Sequence, residues 1–124
     1  MKKWLFIAAL TGATGVAIAA FGEHALAGRL EPRLLAAFAT AGRYQMIHAL
    51  AIGLAALAAR GAARPWAERA AALFFLGTVL FCGSLYMLTL SGIRIIGIVT
   101  PFGGVALIAG WLLLAVAAWK WDET

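Results

Sequence analysis

Residues 4–22 read WLFIAALTGATGVAIAAFG and carry no charged side chain. A helix needs roughly 20 apolar residues to cross about 30 Å of hydrocarbon. Inside lipid every backbone N–H and C=O must find its partner within the protein, which leaves helices and closed barrels as the available forms. Three further stretches read as crossings: about Tyr44–Ala59, about Ala67–Ser91 and about Pro101–Trp119. The second is short, so its polar first turn counts toward the crossing. A 124-residue chain that is 65% hydrophobic and 12% charged cannot bury its apolar surface in a globular core of its own. The expectation is an all-α integral membrane four-helix bundle, with residues 1–124 as one domain.

The first run also has the form of a secretory leader. Lys2 and Lys3 precede it, and small residues stand at Ala17-Ile18-Ala19 and Ala25-Leu26-Ala27. It is longer than a usual leader core and reads as a retained helix. Glu31-Pro32 and Thr100-Pro101 each read as a cap followed by proline at the first helical position. The first opens a short segment, Pro32 to Ala41, with Leu34, Leu35 and Phe38 at helical spacing. This predicts a short interfacial helix between spans 1 and 2. Gly92 is the expected C-cap of the third span.

Four crossings put both termini on one side, with Lys2, Lys3, Arg60, Arg64, Arg69 and Lys120. The other side would hold Arg29, Arg33, Arg43 and Arg94. The positive-inside rule then predicts cytoplasmic termini. Small residues four apart (Ala8 and Gly12, Gly15 and Ala19, Ala49 and Gly53, Ala106 and Gly110) predict close helix approach. The five tryptophans mostly fall near span ends, where interfacial anchors belong. The net charge of +5 is scattered between apolar runs, which argues for the lipid bilayer as partner and against nucleic acid.

This threading gathers the polar residues at one end of the bundle. Glu23 and His24 end the first span; Arg43, Tyr44, Gln45 and His48 open the second; Arg94 lies between the third and fourth. On a helical wheel Tyr44, His48 and Gln45 fall at about 0°, 40° and 100°, on one face. His48 would lie roughly 7.5 Å deeper than Arg43, where a polar side chain must face protein or water. No His-Glu-x-x-His, Cys-x-x-Cys, phosphate loop or Gly-x-Ser-x-Gly occurs, so an enzyme is not expected. Cys82, the single cysteine, reads as a small packing residue.

Three stretches, AFGEHAL (20–26), GRYQMIHALAIGLAAL (42–57) and GTVLFCGSLYMLTLSGIRIIGIVTPFGGVALIAGWLLLA (77–115), resemble the membrane proteins called domain of unknown function 423, which include the transmembrane protein 256 group. The resemblance implies a four-span protein of the bacterial inner membrane and supplies no reaction. Residues matching its motifs are Gly22, His24, Tyr44, Gln45, His48, Gly83, Ser84, Tyr86, Arg94, Thr100, Pro101, Gly103 and Gly104. Glu23 departs from it, since a small residue is common there.

Three functions stay open at this level. The first is binding or transport of a small solute, ion or proton near the outer leaflet. His24, Tyr44, Gln45, His48 and Arg94 would line that site, with Glu23 and Arg43 beside it and the two imidazoles able to carry protons. The second is an accessory role, as a homo-oligomer or in a larger membrane complex. The third is a haem protein ligated by both histidines. No metal or other cofactor is specified.

Overall fold

The computed structural model describes residues 2–121. Among them lie four long helices: α1 (Lys2–Phe21), α2 (Pro32–Ala58), α3 (Arg64–Ser91) and α4 (Thr100–Trp119). A π turn, Gly22–Leu26, ends α1, and 3-10 turns at Gly61–Ala63 and Arg94–Ile98 lead into α3 and α4. The described residues contain no strand. Three stretches are long and apolar enough to cross a membrane: Lys2–Leu26, Gly61–Ser91 and Arg94–Trp119. α2 has the length, 27 residues, but Arg33, Arg43, Gln45 and His48 dilute its apolar character.

Side-chain neighbours fix the helix directions. On α1 and α2, Gly12 faces Ala49, Gly53 faces Ala8, and Gly22 lies on Phe38. On α2 and α3, His48 packs on Phe74, Tyr44 on Phe81, and Phe38 on Tyr86. On α3 and α4, Gly110 meets Phe74, Gly77 meets Leu107 and Gly103 meets Phe81. Each sequential pair is therefore antiparallel. α2 and α3 form the central pair, α1 packs chiefly on α2, and α4 packs chiefly on α3. Phe74, Ile52, Ala55, Ala70 and Ala71, all with no exposed surface, make the centre with Leu107. The expected small-residue pairs serve these contacts, since Ala8 and Gly12 of α1 meet Gly53 and Ala49 of α2. Beside them the two helices leave an apolar groove of about 630 Å³ that includes Ala9, Ala13, Leu50 and Leu54.

One expectation is corrected in a way that moves the site. Pro32–Ala41 is not a separate interfacial helix; it is the first three turns of α2. Pro32 starts the helix, and nothing before Gly42 breaks it. Phe38 is buried against Gly22 and the Tyr86 ring, so its face belongs to the bundle. At 1.5 Å per residue α2 is about 40 Å long, more than a hydrocarbon core requires. Arg33 and Arg43 lie on its exposed surface and do not mark its start.

The caps agree in part. Gly92 closes α3 in the left-handed conformation, φ +73°, its N–H donating to the Leu88 carbonyl at 2.8 Å. Thr100 is already inside α4 and does not cap it. Its hydroxyl instead meets Ser84 Oγ at 2.6 Å, pinning α4 to α3.

The termini and the α2–α3 connection share one end. There Lys3 lies over Trp4, Arg69 over Trp66 and Arg60 over Trp121, at 5.0, 5.3 and 5.9 Å from the ring centres. Such belts of aromatic and basic side chains suit a membrane–water boundary. Trp111 differs: it sits within α4 beside Phe74 and His48.

Candidate functional site

Gln45 projects from the middle of α2 between α1 and α3. Its Nε2 donates to the Thr11 carbonyl and to Thr14 Oγ1, both at 3.0 Å, and its Oε1 accepts from the Tyr86 hydroxyl at 2.7 Å. A carbonyl can only accept, so the Thr11 contact fixes which end of the amide faces α1. One side chain thus ties three helices. Gly15 makes room for Met46 and Gln45 together: a Cβ there would lie 2.6 Å from Met46 Sδ and 3.4 Å from Gln45 Cγ.

One turn further on, His48 joins α2 to α4. Its Nδ1 lies 2.8 Å from the Tyr44 carbonyl, and Trp111 Nε1 donates to its Nε2 at 3.0 Å. The carbonyl needs a donor and the indole is only a donor, so the ring is the neutral tautomer with its proton on Nδ1. Tyr44 stacks on His48 and packs on Phe81, its ring 5.9 and 4.8 Å from theirs.

The remaining predicted site residues lie elsewhere. Glu23 and His24 are exposed on the π turn. Arg43 is exposed and reaches only Thr40 Oγ1, at 3.5 Å. Arg94 lines a separate surface pocket with Glu31 and Arg33, which pair with each other at 2.9 Å. The seven residues do not form one cluster. Because α2 begins at Pro32, His48 lies about 24 Å of helical rise from its start. It is level with the Gly12–Ala49 contact, and His24 lies twelve residues beyond Gly12, about 18 Å further along the axis. The common depth expected for the two imidazoles is therefore not found. About 18 Å of helical rise between them does not suit the expected ligation of one haem iron by both histidines.

A pocket with a mostly apolar wall, which the sequence did not suggest, lies over Gln45, between α1 and α3. It measures about 280 Å³, and Thr11, Thr14, Gln45, Thr78, Cys82 and Tyr86 are among the residues that line it. Phe75 and Val79, 38% and 52% exposed, stand at its rim. Thr11 Oγ1 donates to the Ile7 carbonyl at 2.7 Å, and Thr14 Oγ1 lies 2.9 Å from the Leu10 carbonyl. Such back-bonding to the preceding turn is the usual habit of helical threonine. Thr78 departs from it: its Oγ1 is buried and, among the described residues, has no hydrogen-bond partner. The side chain is only 6% exposed. Buried hydroxyls are nearly always paired, and leaving one unpaired costs about 1–3 kcal/mol. Spacing offered a partial signal, because Thr78, Cys82 and Tyr86 recur every four residues on one face of α3.

Four long helices, three of them in stretches apolar enough to cross a membrane, an aromatic and basic belt at one end and polar side chains turned inward define a small helical membrane protein. The model of a family described as a protein of unknown function (DUF423) matches residues 18–104, and the chain belongs to that family. It is similar to the UPF0382 membrane protein of Staphylococcus haemolyticus, 39% identical over 97% of this chain and 98% of the relative. It is also similar to the UPF0382 membrane protein YwdK of Bacillus subtilis, 38% identical over 98% and 99% of the two chains. A third relative is the UPF0382 inner membrane protein YgdD of Escherichia coli K12, 41% identical over 92% and 87%. No solved structure gives a significant match. The resemblance seen in the three sequence stretches is thereby borne out. Gln45, His48, Thr78, Tyr86 and Gly103 fall within the matched region, whereas Thr11, Thr14 and Trp111 lie outside it.

Proposed function

We propose that all four helices cross the bacterial inner membrane with cytoplasmic termini, and that the bundle binds a small polar solute in the pocket between α1 and α3. Several features support the threading. α2 is flanked on both sides by antiparallel spans, its polar Gln45 and His48 turn inward, and Ile47, Leu50, Leu54 and Leu57 stand exposed on its outer face. Six basic residues gather at the end with the termini and three, Arg29, Arg33 and Arg94, at the other, the bias expected of an inside face. The likeness to the Escherichia coli inner membrane protein supports the location.

The binding reading rests on one observation: Thr78, whose buried hydroxyl has no hydrogen-bond partner among the described residues, lines a pocket at mid-bundle. Polar groups inside a membrane are costly and tend to mark functional cavities. Gln45, Tyr86, His48, Trp111, Ser84 and Thr100 are bonded between helices, whereas Thr40, Thr89 and Ser91 bond to carbonyls of their own helix. On this reading the site lies deeper than the outer-leaflet position expected from the sequence. Without a cluster of three or more metal-ligating side chains among the described residues, the pocket is not a metal centre of that kind.

The test is contact between solute and pocket in lipid nanodiscs. Ethylene glycol protons should show nuclear Overhauser effects to the Thr78 methyl and the Tyr86 ring, and none to the fully buried Ile52 methyls. Effects at Thr78 arising only from lipid acyl chains would mean that the pocket is a lipid crevice, and the binding reading would be lost.

A further inference from the structure

We infer that the end of the bundle with the termini carries a site for the headgroup of an anionic phospholipid, between the first turns of α1 and α3. The site needs only those two helices to cross, and both lie in stretches long and apolar enough to do so. It is separate from the mid-bundle pocket and does not depend on the threading of α2.

α1 and α3 run parallel, because each is antiparallel to α2, so their N-terminal turns lie at one level. An open pocket of about 380 Å³ lies between them there, lined by Lys3 and Trp4 of α1 and by Pro65, Glu68, Arg69 and Ala72 of α3.

The charge balance selects an anion. Lys3 and Arg69 are exposed and belong to neither of the two ion pairs found among the described residues, Arg33–Glu31 and Arg64–Glu68. Glu68, the carboxylate lining the pocket, already accepts from Arg64 Nε at 2.8 Å. Along the sequence, the segments at this end hold Lys2, Lys3, Arg60, Arg64, Arg69 and Lys120 against Glu68, Asp122 and Glu123. The excess is positive with every acid counted.

Aromatic rings hold both cations at the boundary. Lys3 Nζ lies 5.0 Å from the Trp4 ring centre and the Arg69 guanidinium 5.3 Å from that of Trp66. Such contacts leave the charge in place. The guanidinium fork suits phosphate oxygens, and the lysine adds a point charge. A choline headgroup would bring its own ammonium to this positive excess, whereas phosphatidylglycerol brings the phosphate without one.

The wall of the pocket favours a lipid over a dissolved anion. The Trp4 ring packs 6.4 Å from Phe75, which lies one turn deeper along α3 than Ala72 and is 38% exposed. These residues set apolar surface directly beneath the cations, on the bilayer side, for the glycerol backbone and the first chain carbons. Basic pockets between spanning helices at a membrane surface are known seats of anionic headgroups.

The test reconstitutes the full chain in phosphatidylcholine nanodiscs and replaces that lipid stepwise with phosphatidylglycerol while the tryptophan indole N–H resonances are followed. The Trp4 resonance should shift and saturate, and that of Trp111, inside the bundle, should stay still. Arg69→Gln should raise the phosphatidylglycerol fraction needed for half the shift about fivefold, the usual worth of one basic residue at an anionic surface. Lys3→Gln should act similarly. Arg60→Gln removes an equal charge at the same end but outside the pocket, and should leave the midpoint nearly unchanged. All three side chains are exposed, so the variants should keep the fold. A Trp4 drift that never saturates, or an equal loss in Arg60→Gln and Arg69→Gln, would mean diffuse attraction to the surface and would overturn the site. The same Trp4 shift on adding inorganic phosphate to pure phosphatidylcholine discs would overturn the lipid as occupant. No shift at Trp4 would overturn both.

Discussion

Gly103→Ala should split the seam between α3 and α4. A Cβ at position 103 would press on the Phe81 backbone nitrogen and lie 2.7 Å from Phe81 Cα and 2.9 Å from the Leu80 carbonyl carbon. These are backbone atoms of a facing helix, so no side-chain rotation can relieve the clash. The helices would have to separate there, undoing the Ser84–Thr100 bond beside it and loosening the Gly77 and Gly110 contacts on Leu107 and Phe74. Overpacking commonly costs about 1–3 kcal/mol, and a rigid backbone obstacle puts this site at or above the top of that range. The neighbouring glycine is the control. A Cβ on Gly104 would meet nothing closer than Phe81 Cδ1 at 3.8 Å, an ordinary contact. Gly104→Ala should therefore leave stability unchanged or raise it slightly, by helix propensity. Unfolding in mixed micelles compares the two, and equal losses in both variants would contradict the seam.

Gln45→Leu should have the second largest effect. The substitution keeps roughly the same bulk but deletes three interhelical hydrogen bonds and leaves the Tyr86 hydroxyl without its acceptor. Interhelical hydrogen bonds within bilayers average about 0.6 kcal/mol each. Three of them, with some penalty for the abandoned hydroxyl, bring the expected loss to about 2–3 kcal/mol. Tyr86→Phe made alone should cost less, because it removes only one bond. The double variant should cost less than the sum of the singles, since Tyr86 then has no hydroxyl to strand. Strict additivity would mean that Gln45 and Tyr86 do not interact, contrary to the 2.7 Å contact.

The helical class and the number of long helices were legible because uncharged runs of spanning length have few alternatives. Gly92 as a C-cap was legible for the reason that only glycine enters the left-handed region at little cost. The Gly12–Ala49 and Ala8–Gly53 contacts followed from four-residue spacing of small side chains. The start of α2 at Pro32 was legible from Glu31-Pro32, but its unbroken run through Gly42 and Arg43 was not. Arg33 and Arg43 look like membrane boundaries when charges are counted, yet a helix longer than the hydrocarbon can carry arginine on an exposed face and continue. That one difference displaced His48 and Gln45 from the end of the bundle to its middle. Trp111 did leave a trace, because a tryptophan eight residues inside its helix end is out of place in an interfacial belt. Its partner His48 could have been sought from that. Thr78 left almost none: threonines in apolar helices are ordinary, and whether one bonds to its own turn depends on a rotamer that no pattern records.

The proposed threading requires α2 to cross the bilayer with Gln45 and His48 near mid-depth. Spin labels placed singly at Ile47, Leu50, Leu54 and Leu57, all on its outer face, test this in reconstituted membranes. Oxygen, which partitions into lipid, should reach the Ile47 and Leu50 labels best, a water-soluble nickel chelate should reach them least, and the ratio should fall steadily toward Leu57. Free access of the nickel chelate to all four labels would mean that α2 lies at the surface, and the mid-membrane pocket would have no place to exist.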